Sequence, residues 1–369
     1  MVKFLKFYSI LILPFAIFPP SLNAGILSPI PYLQQITPHE ASILWDTHFS
    51  SLARVCYGTT PEVKHTLILT KKAHHHHRVT LRNLRPNTRY YYKIYYYDLF
   101  PSEIYSFKTA PLHEKAFSFA VLGDSGNSSF DQYLIALELE QYRYDFLLHT
   151  GDIVYPKGKR EDYFLRFFFP YEHILHRVPI YPTLGNHDAH HWKDYVNIFH
   201  LPKNNLEHSE RYYSFDWSNA QFFSLDSVFS PFEVGSLQYQ WLIERLSHSQ
   251  KTWKFVYFHV PIVGSMTQGI HQKLKEVLMP LLEQYQVDAV FMGHHHLYER
   301  TRAQGSSTLY IITGGGGADL DDDFIQPNPF SEKLIQKHHF LLAKVRGRTF
   351  TLWAIDEHGK ILDTVSIEK

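Results

Sequence analysis

Phe117-Ser118-Phe119-Ala120-Val121-Leu122-Gly123-Asp124-Ser125-Gly126 is the stretch from which the fold is read. Its first six residues are mostly apolar and too few for a helix, so they predict a strand, and the polar tetrapeptide that follows sits on a turn. The same pattern recurs downstream. A helical segment over 131–142 leads to a strand at 145–149, which ends in Gly151-Asp152-Ile153-Val154-Tyr155. Gly185-Asn186-His187-Asp188 is a third such end. Helices are predicted over 236–247 and 271–285, with strands at 253–258 and 288–292 after them. Those two strands run into His259 and into Gly293-His294-His295-His296. Strands alternating with helices mean a layered α/β fold, here extended by strands at 308–312, 340–345, 349–354 and 361–367.

In open α/β sheets, ligands bind outside the carboxyl ends of the strands, so five polar strand ends can converge on one point. Asp, Asp, Tyr, Asn and three His are then gathered together. Hard oxygen donors with imidazoles suit iron, manganese or zinc rather than copper(I). A carboxylate can bridge two metals, as in centres for in-line phosphoryl displacement. Taken singly, a Gly-Asp pair is an ordinary turn and a lone His an ordinary core or surface residue. All five in order, each after an apolar strand, point to one site.

Upstream the pattern is different. Short apolar stretches at 41–45, 54–57, 77–81, 90–97 and 104–108 lie between turn signals and predict a small β-sandwich over 25–111. The segment from Leu84-Arg85-Pro86-Asn87 to Tyr90 resembles the corner before a late strand of fibronectin type III domains, where a tyrosine bonds back to the backbone. The tyrosines of 90–97 read as alternating core and surface positions. His74–His77 reads as an exposed loop run leading into a strand, and Cys56 as a small buried hydrophobe. At the start, Lys3 and Lys6 precede an apolar run over 7–18 interrupted by Pro14, then small residues up to Ala24. This is the pattern of a secretory signal over 1–24, and the run is too short to span a bilayer.

The 369 residues contain 36 Lys+Arg and 36 Asp+Glu, a balance that argues against an electrostatic nucleic-acid binder. A single cysteine excludes a disulfide scaffold, a zinc finger and an iron–sulfur cluster. With 25 histidines, a metal site is the natural search.

The ordered motifs resemble those of the calcineurin-like metallophosphoesterases, and within them the purple acid phosphatases. The resemblance extends to Leu297-Tyr298-Glu299-Arg300 and the Gly314–Gly317 run, and with the front domain it covers nearly all of the chain after the leader. Most members of the wider superfamily carry Gly-Asp-x-His in the first motif. Here Gly126 stands where that His would be, and Tyr155 follows Asp152 by three residues. What the resemblance implies is a fibronectin-like sandwich followed, over 112–369, by a four-layer domain of two β-sheets flanked by helices. Its ferric site would use Asp124, Tyr155, His296 and a bridging Asp152. The divalent site, for Fe, Zn or Mn, would use Asp152, Asn186, His259 and His294. His187 would face the substrate and serve as acid. His271 is a candidate for substrate contact, and Asp188 and Glu299 for orienting ligands from behind, with His190, His191 and His295 behind the ligands or at the surface. Asp321–Asp323 reads as a solvated acidic turn.

The expectation is a secreted or periplasmic acid phosphatase that cleaves small phosphate monoesters by attack of a metal-bound hydroxide, with no nucleic-acid partner and no membrane anchor after leader removal. One rival keeps the site but takes diesters or nucleotide pyrophosphates. Another is a non-catalytic surface-binding protein, which would tolerate losses among the seven ligands, and none is lost.

Overall fold

The computed structural model describes residues 30–64, 66–70, 72–97, 99–266, 269–302, 305–321 and 328–369. The leader expected at 1–24, and Asp322 and Asp323, lie outside these residues.

The N-terminal part is β-rich. Tyr32–Gln34, Ala41–Ser51 and His74–Leu81 form one antiparallel sheet. Thr66–Leu69, Arg54–Gly58, Arg89–Tyr96 and Phe100–Pro101 pair in that order in a second sheet, and Tyr105–Lys108 also pairs with Arg89–Tyr96. Strands of two to four residues at Tyr32–Gln34, Thr66–Leu69 and Phe100–Pro101 were not expected, because so short a run carries no readable alternation. The corner tyrosine behaves as its surroundings suggest: the Arg85 N–H donates to Tyr90 Oη at 2.9 Å.

His74–His77 is not a loop. It opens the strand His74–Leu81, whose alternation leaves His74 exposed and turns His77 inward. There the His77 ring stacks on Trp45 and its Nε2 lies 2.8 Å from Thr47 Oγ1. Cys56 is only half-buried, because its neighbour Val55 takes the core-facing position of that strand.

The rest of the chain builds two larger sheets. One has the order Ile180–Pro182, Phe146–His149, Phe117–Leu122, His339–Arg346, Thr349–Asp356, Ile361–Glu368. Its first three strands are parallel, and the C-terminal strands continue it as an antiparallel meander. The other sheet has the order Tyr213–Trp217, Ala220–Ser224, Trp253–Phe258, Ala289–Met292, Leu309–Thr313, Tyr298–Thr301, Ser331–Ile335. The four strands from Ala220 to Thr313 in that order run parallel.

The sheets pack face to face through aromatic rings. Phe119 of the first lies 5.2 Å from Phe222, 5.6 Å from Phe255 and 6.0 Å from Phe291 of the second. Alternation sends the neighbours Phe223, Val256 and Val290 to the opposite face, where they join Trp241, Leu242 and Leu278 of the helices Leu237–His248 and Gln272–Gln284. Burial on both faces is why these strands read as continuous apolar runs. With Phe130–Glu140 beyond the first sheet, through Ile135 and Leu139, the layers run helix, sheet, sheet, helix.

The N-terminal part is docked, not tethered. Tyr32 Oη donates to Ile198 O at 2.6 Å, Tyr92 Oη to His176 O at 2.7 Å and Tyr181 Oη to Ile36 O at 3.1 Å. Arg160 pairs with Asp46 at 2.9 Å.

Candidate metal centre

The candidate ligands hang from strand ends of both large sheets. Asp124 follows Phe117–Leu122, Asp152 and Tyr155 follow Phe146–His149, and Asn186 opens a short turn of helix after Ile180–Pro182. From the other sheet, His259 follows Trp253–Phe258, and His294 and His296 follow Ala289–Met292. Asp124, Asp152 and His294 hold φ of 56°, 51° and 69°. The left-handed region is unfavourable for residues with a Cβ, and such strain collects where a side chain must be aimed.

The donors form two groups. Asn186 Oδ1 lies 2.8 Å from His259 Nε2 and 2.9 Å from His294 Nδ1, and Asp152 Oδ2 is 3.3 Å from His259 Nε2. Donor atoms of Asp152, His259 and His294 all fall within 4.8 Å of one another. In the second group Tyr155 Oη is 3.1 Å from His296 Nε2 and 3.3 Å from Asp124 Oδ1, and His296 Nε2 is 3.5 Å from Asp124 Oδ1. Arms of about 2.1 Å at right angles put neighbouring ligand atoms roughly 3 Å apart, so these separations suit a cation between the donors.

Supporting contacts fix the imidazoles. His259 Nδ1 lies 3.0 Å from Thr150 O and His296 Nδ1 2.6 Å from Asp319 O. A carbonyl only accepts, so both rings carry a proton on Nδ1 and turn Nε2 to the cluster as the atom that a metal would take. The Asp124 carboxylate accepts the His294 N–H, and Asp152 Oδ1 accepts the His187 N–H at 2.8 Å.

Without a metal ion, protons held on His259 and His296 offset the Asp152 and Asp124 carboxylates. Burial, then Asp124 and Asp152, push the Tyr155 phenol well above its usual range. Burial lowers His296 and His259, but Asp124 raises the first and Asp152 the second, each to about 9 overall. Burial and the nearby His259 take His294 down to about 3. Acid groups and imidazoles packed out of water in this way fit a positive charge placed among them.

Asp188 is fully buried and accepts N–H groups from Ile153, Val154 and Gly185, so it holds the loop that carries Asp152. Burial and Asp152 raise it to about 7. Glu299 accepts from Ser265 N at 2.7 Å and from Ser265 Oγ, and so braces the segment after His259 without touching a ligand. His187 Nδ1 lies 2.6 Å from Pro156 O, its ring packs 4.5 Å from that of Tyr155, and its Nε2 is 3.8 Å from Asp152 Oδ2. His271 is an exposed helix cap whose Nδ1 accepts the Leu274 N–H, and it is not brought into either group. Asp321 is more than a solvated turn, for it accepts the His296 N–H at 2.7 Å. His295 is buried against the loop of Gly269, and His191 bonds to Lys157 O.

Sequence reading missed Thr150, Asp319 and the buried pair Ser125–His149 at 2.9 Å. The first two act through backbone carbonyls, which leave no residue-type signal.

Gly126 explains its own identity. A Cβ there would lie 1.8 Å from Ile153 O, and the Gly126 carbonyl accepts the Tyr155 N–H at 2.9 Å. The missing histidine and the added tyrosine are thus neighbours in one loop pair.

Both parts of the chain match known families. Residues 117–298 match the calcineurin-like phosphoesterase family and residues 29–109 the purple acid phosphatase N-terminal domain. Purple acid phosphatase 21 of Arabidopsis thaliana is 30% identical over 323 residues, covering 79% of this chain and 71% of the relative. Fe(3+)-Zn(2+) purple acid phosphatase 12 of the same plant is 26% identical, covering 79% and 71%. Among solved structures, a purple acid phosphatase from yellow lupin (Lupinus luteus) seeds superposes with a TM-score of 0.81 at 19% identity, over 92% of this chain and 74% of its own.

Proposed function

We propose that this chain, which belongs to the purple acid phosphatase family, is an exported acid phosphatase that hydrolyses small phosphate monoesters at a binuclear metal centre. The observation that carries the reading is the meeting of all seven donors in two adjoining groups, with Asp152 beside both His259 and the loop of Tyr155. Asp124, Tyr155 and His296 would hold Fe(III), and Asn186, His259 and His294 a divalent Fe, Zn or Mn ion, with Asp152 shared. A phenolate favours a trivalent ion, and the name of the Fe(3+)-Zn(2+) relative supports that pairing. Two metal ions there supply charge to polarise a phosphoryl oxygen and to activate a water.

The chain's own residues do the remaining work. His187 is fixed by Pro156 O so that Nδ1 keeps its proton. A second proton, when carried, sits on Nε2, beside Asp152 and at the open side of the cluster, where it can be handed to a leaving oxygen. Asp188 and Glu299 keep the two ligand-bearing loops from relaxing, which preserves the geometry in which charge on the phosphoryl group is met without reorganisation. Export rests on the basic-then-apolar start of the chain. Among the described residues no helix is long and apolar enough to cross a membrane.

The test is metal content with a visible spectrum, followed by a phosphoester panel. Two metal equivalents, a visible band from iron and faster turnover of p-nitrophenyl phosphate than of its bis ester are expected. Faster turnover of the bis ester would transfer the reading to a phosphodiesterase, and absence of bound metal would overturn it.

A further inference from the structure

Four cations meet at the seam between the N-terminal sandwich and the catalytic sheets. Arg89 and Lys108 come from the sandwich strands Arg89–Tyr96 and Tyr105–Lys108. Arg143 and Arg177 come from the loops before Phe146–His149 and Ile180–Pro182. All four line one cavity of about 270 Å³. Among the described residues none of them forms an ion pair. Arg89 donates to Ser106 Oγ at 3.2 Å, and Arg177 donates to the carbonyls of His173 and Glu140 while lying over the Tyr144 ring. The cavity's one acid, Asp145, accepts the Ser118 N–H through Oδ2 at 3.0 Å and interacts with the charge of Lys108.

A solvated face would mix signs, and the chain as a whole carries equal numbers of acids and bases. Like charges drawn from four separate segments to one partly enclosed seam repel one another, and the single carboxylate of Asp145 offsets only one of the four. The cavity is distinct from the metal centre. Tyr144 and Asp145 precede Phe146–His149 and Val178 precedes Ile180–Pro182, whereas Asp152 and Asn186 follow those same strands. One site is at the amino ends and the other at the carboxyl ends, separated by roughly 13 Å of strand.

We propose that this seam cavity is a second anion site, built for a small phosphate anion, inorganic phosphate or a diphosphate. Guanidinium forks match phosphate oxygens in pairs, and Arg89 and Arg143 line the space beside Arg177, which already gives two N–H groups to carbonyls. At about 30 Å³ per water-sized group the cavity has room for roughly nine such groups, enough for a diphosphate and little more. Because both parts of the chain contribute cations, a bound anion ties the sandwich to the catalytic sheets. The site does not depend on the phosphatase reading.

Binding of methylenediphosphonate, which resists hydrolysis, to the metal-loaded full chain at constant ionic strength tests this. Wild type should bind two equivalents, and Asp152→Asn should lose only the one at the metal centre. Arg89→Ser/Arg143→Ser should lose only the other, weakened at least about tenfold as a charged hydrogen bond is removed, with p-nitrophenyl phosphate turnover unchanged. Both residues are exposed, and Arg143→Ser alone should show the same direction. The diphosphonate should raise the Tm of the Arg variant less than that of wild type. If wild type binds one equivalent, its loss in Arg89→Ser/Arg143→Ser supports the seam site and its loss in Asp152→Asn overturns it. Unchanged stoichiometry and affinity in the Arg variant, or an equal Tm rise from sodium chloride, also overturns it.

Discussion

Tyr155 is the residue whose chemistry most depends on what sits beside it. Burial and Asp124 hold its proton on tightly, so a phenolate forms there only against a strong positive charge. Tyr155→Phe keeps the ring against His187 and removes the oxygen. The iron-loaded variant should therefore lose its visible charge-transfer band and bind ferric ion more weakly, while its Tm stays near that of wild type; an unchanged spectrum would remove Tyr155 from the iron. His187 differs, since Asn186 already supplies the donor from that turn. His187→Ala should keep two metal equivalents while kcat falls roughly 10²–10⁴-fold, the span for losing an acid–base group. Loss of one equivalent would make it a ligand instead. These residues were legible because each closes an apolar run with an unusual polar type. His271 caps a helix through Nδ1, a role that its spacing from His259 does not announce.

Among elements, the paired loops 123–126 and 151–155 behave as a unit. The Asp124 N–H donates to Gly151 O, Ser125 N–H to Asp152 O and Tyr155 N–H to Gly126 O. A side chain on Gly126 meets backbone, which cannot swing aside. Gly126→Ala should cost about 1–3 kcal/mol as an overpacked site and reduce bound metal, measured by denaturant midpoint and metal analysis on the same sample. Normal metal content with normal stability would mean the two loops move independently. Strands at the centre of the sheets were readable because both faces are buried and the run is unbroken, as in Trp253–Phe258. Edge pieces such as Phe100–Pro101 owe their existence to a partner strand and carry no pattern of their own. His74–His77 was misread because polar residues at the start of an edge strand look like a loop until the register with Ala41–Ser51 is known.

At the scale of the whole molecule, imidazoles held out of water set a limit on acid tolerance: His149 and His339 are fully buried, His77 is buried and His176 half-buried. Burial lowers His77, His176 and His339 to about 4 each. His339 is fully buried, with Nδ1 2.9 Å from Lys337 O and Nε2 3.0 Å from Thr313 Oγ1. Its folded pKa lies below the unfolded value of about 6.5, so the unfolded chain takes up the proton first. Its contribution is complete above about pH 6.5, falls as pH drops towards 4 and is flat below that. For His339 alone the loss is on the order of 3 kcal/mol. Tm should decline between pH 6.5 and 4.5, and His339→Asn should flatten that decline. An equal slope in the variant would assign the acid sensitivity to other groups.

The candidate ligands are shared between the two large sheets, with Asp124, Asp152, Tyr155 and Asn186 on one and His259, His294 and His296 on the other. Sliding either sheet along its strands relative to the other would pull donors out of register before it disturbed the phenylalanines between them. A loaded centre is therefore a rivet as well as a reagent. It clamps two plates against shear at one rim, and stiffness there and competence for chemistry become a single mechanical property of the fold.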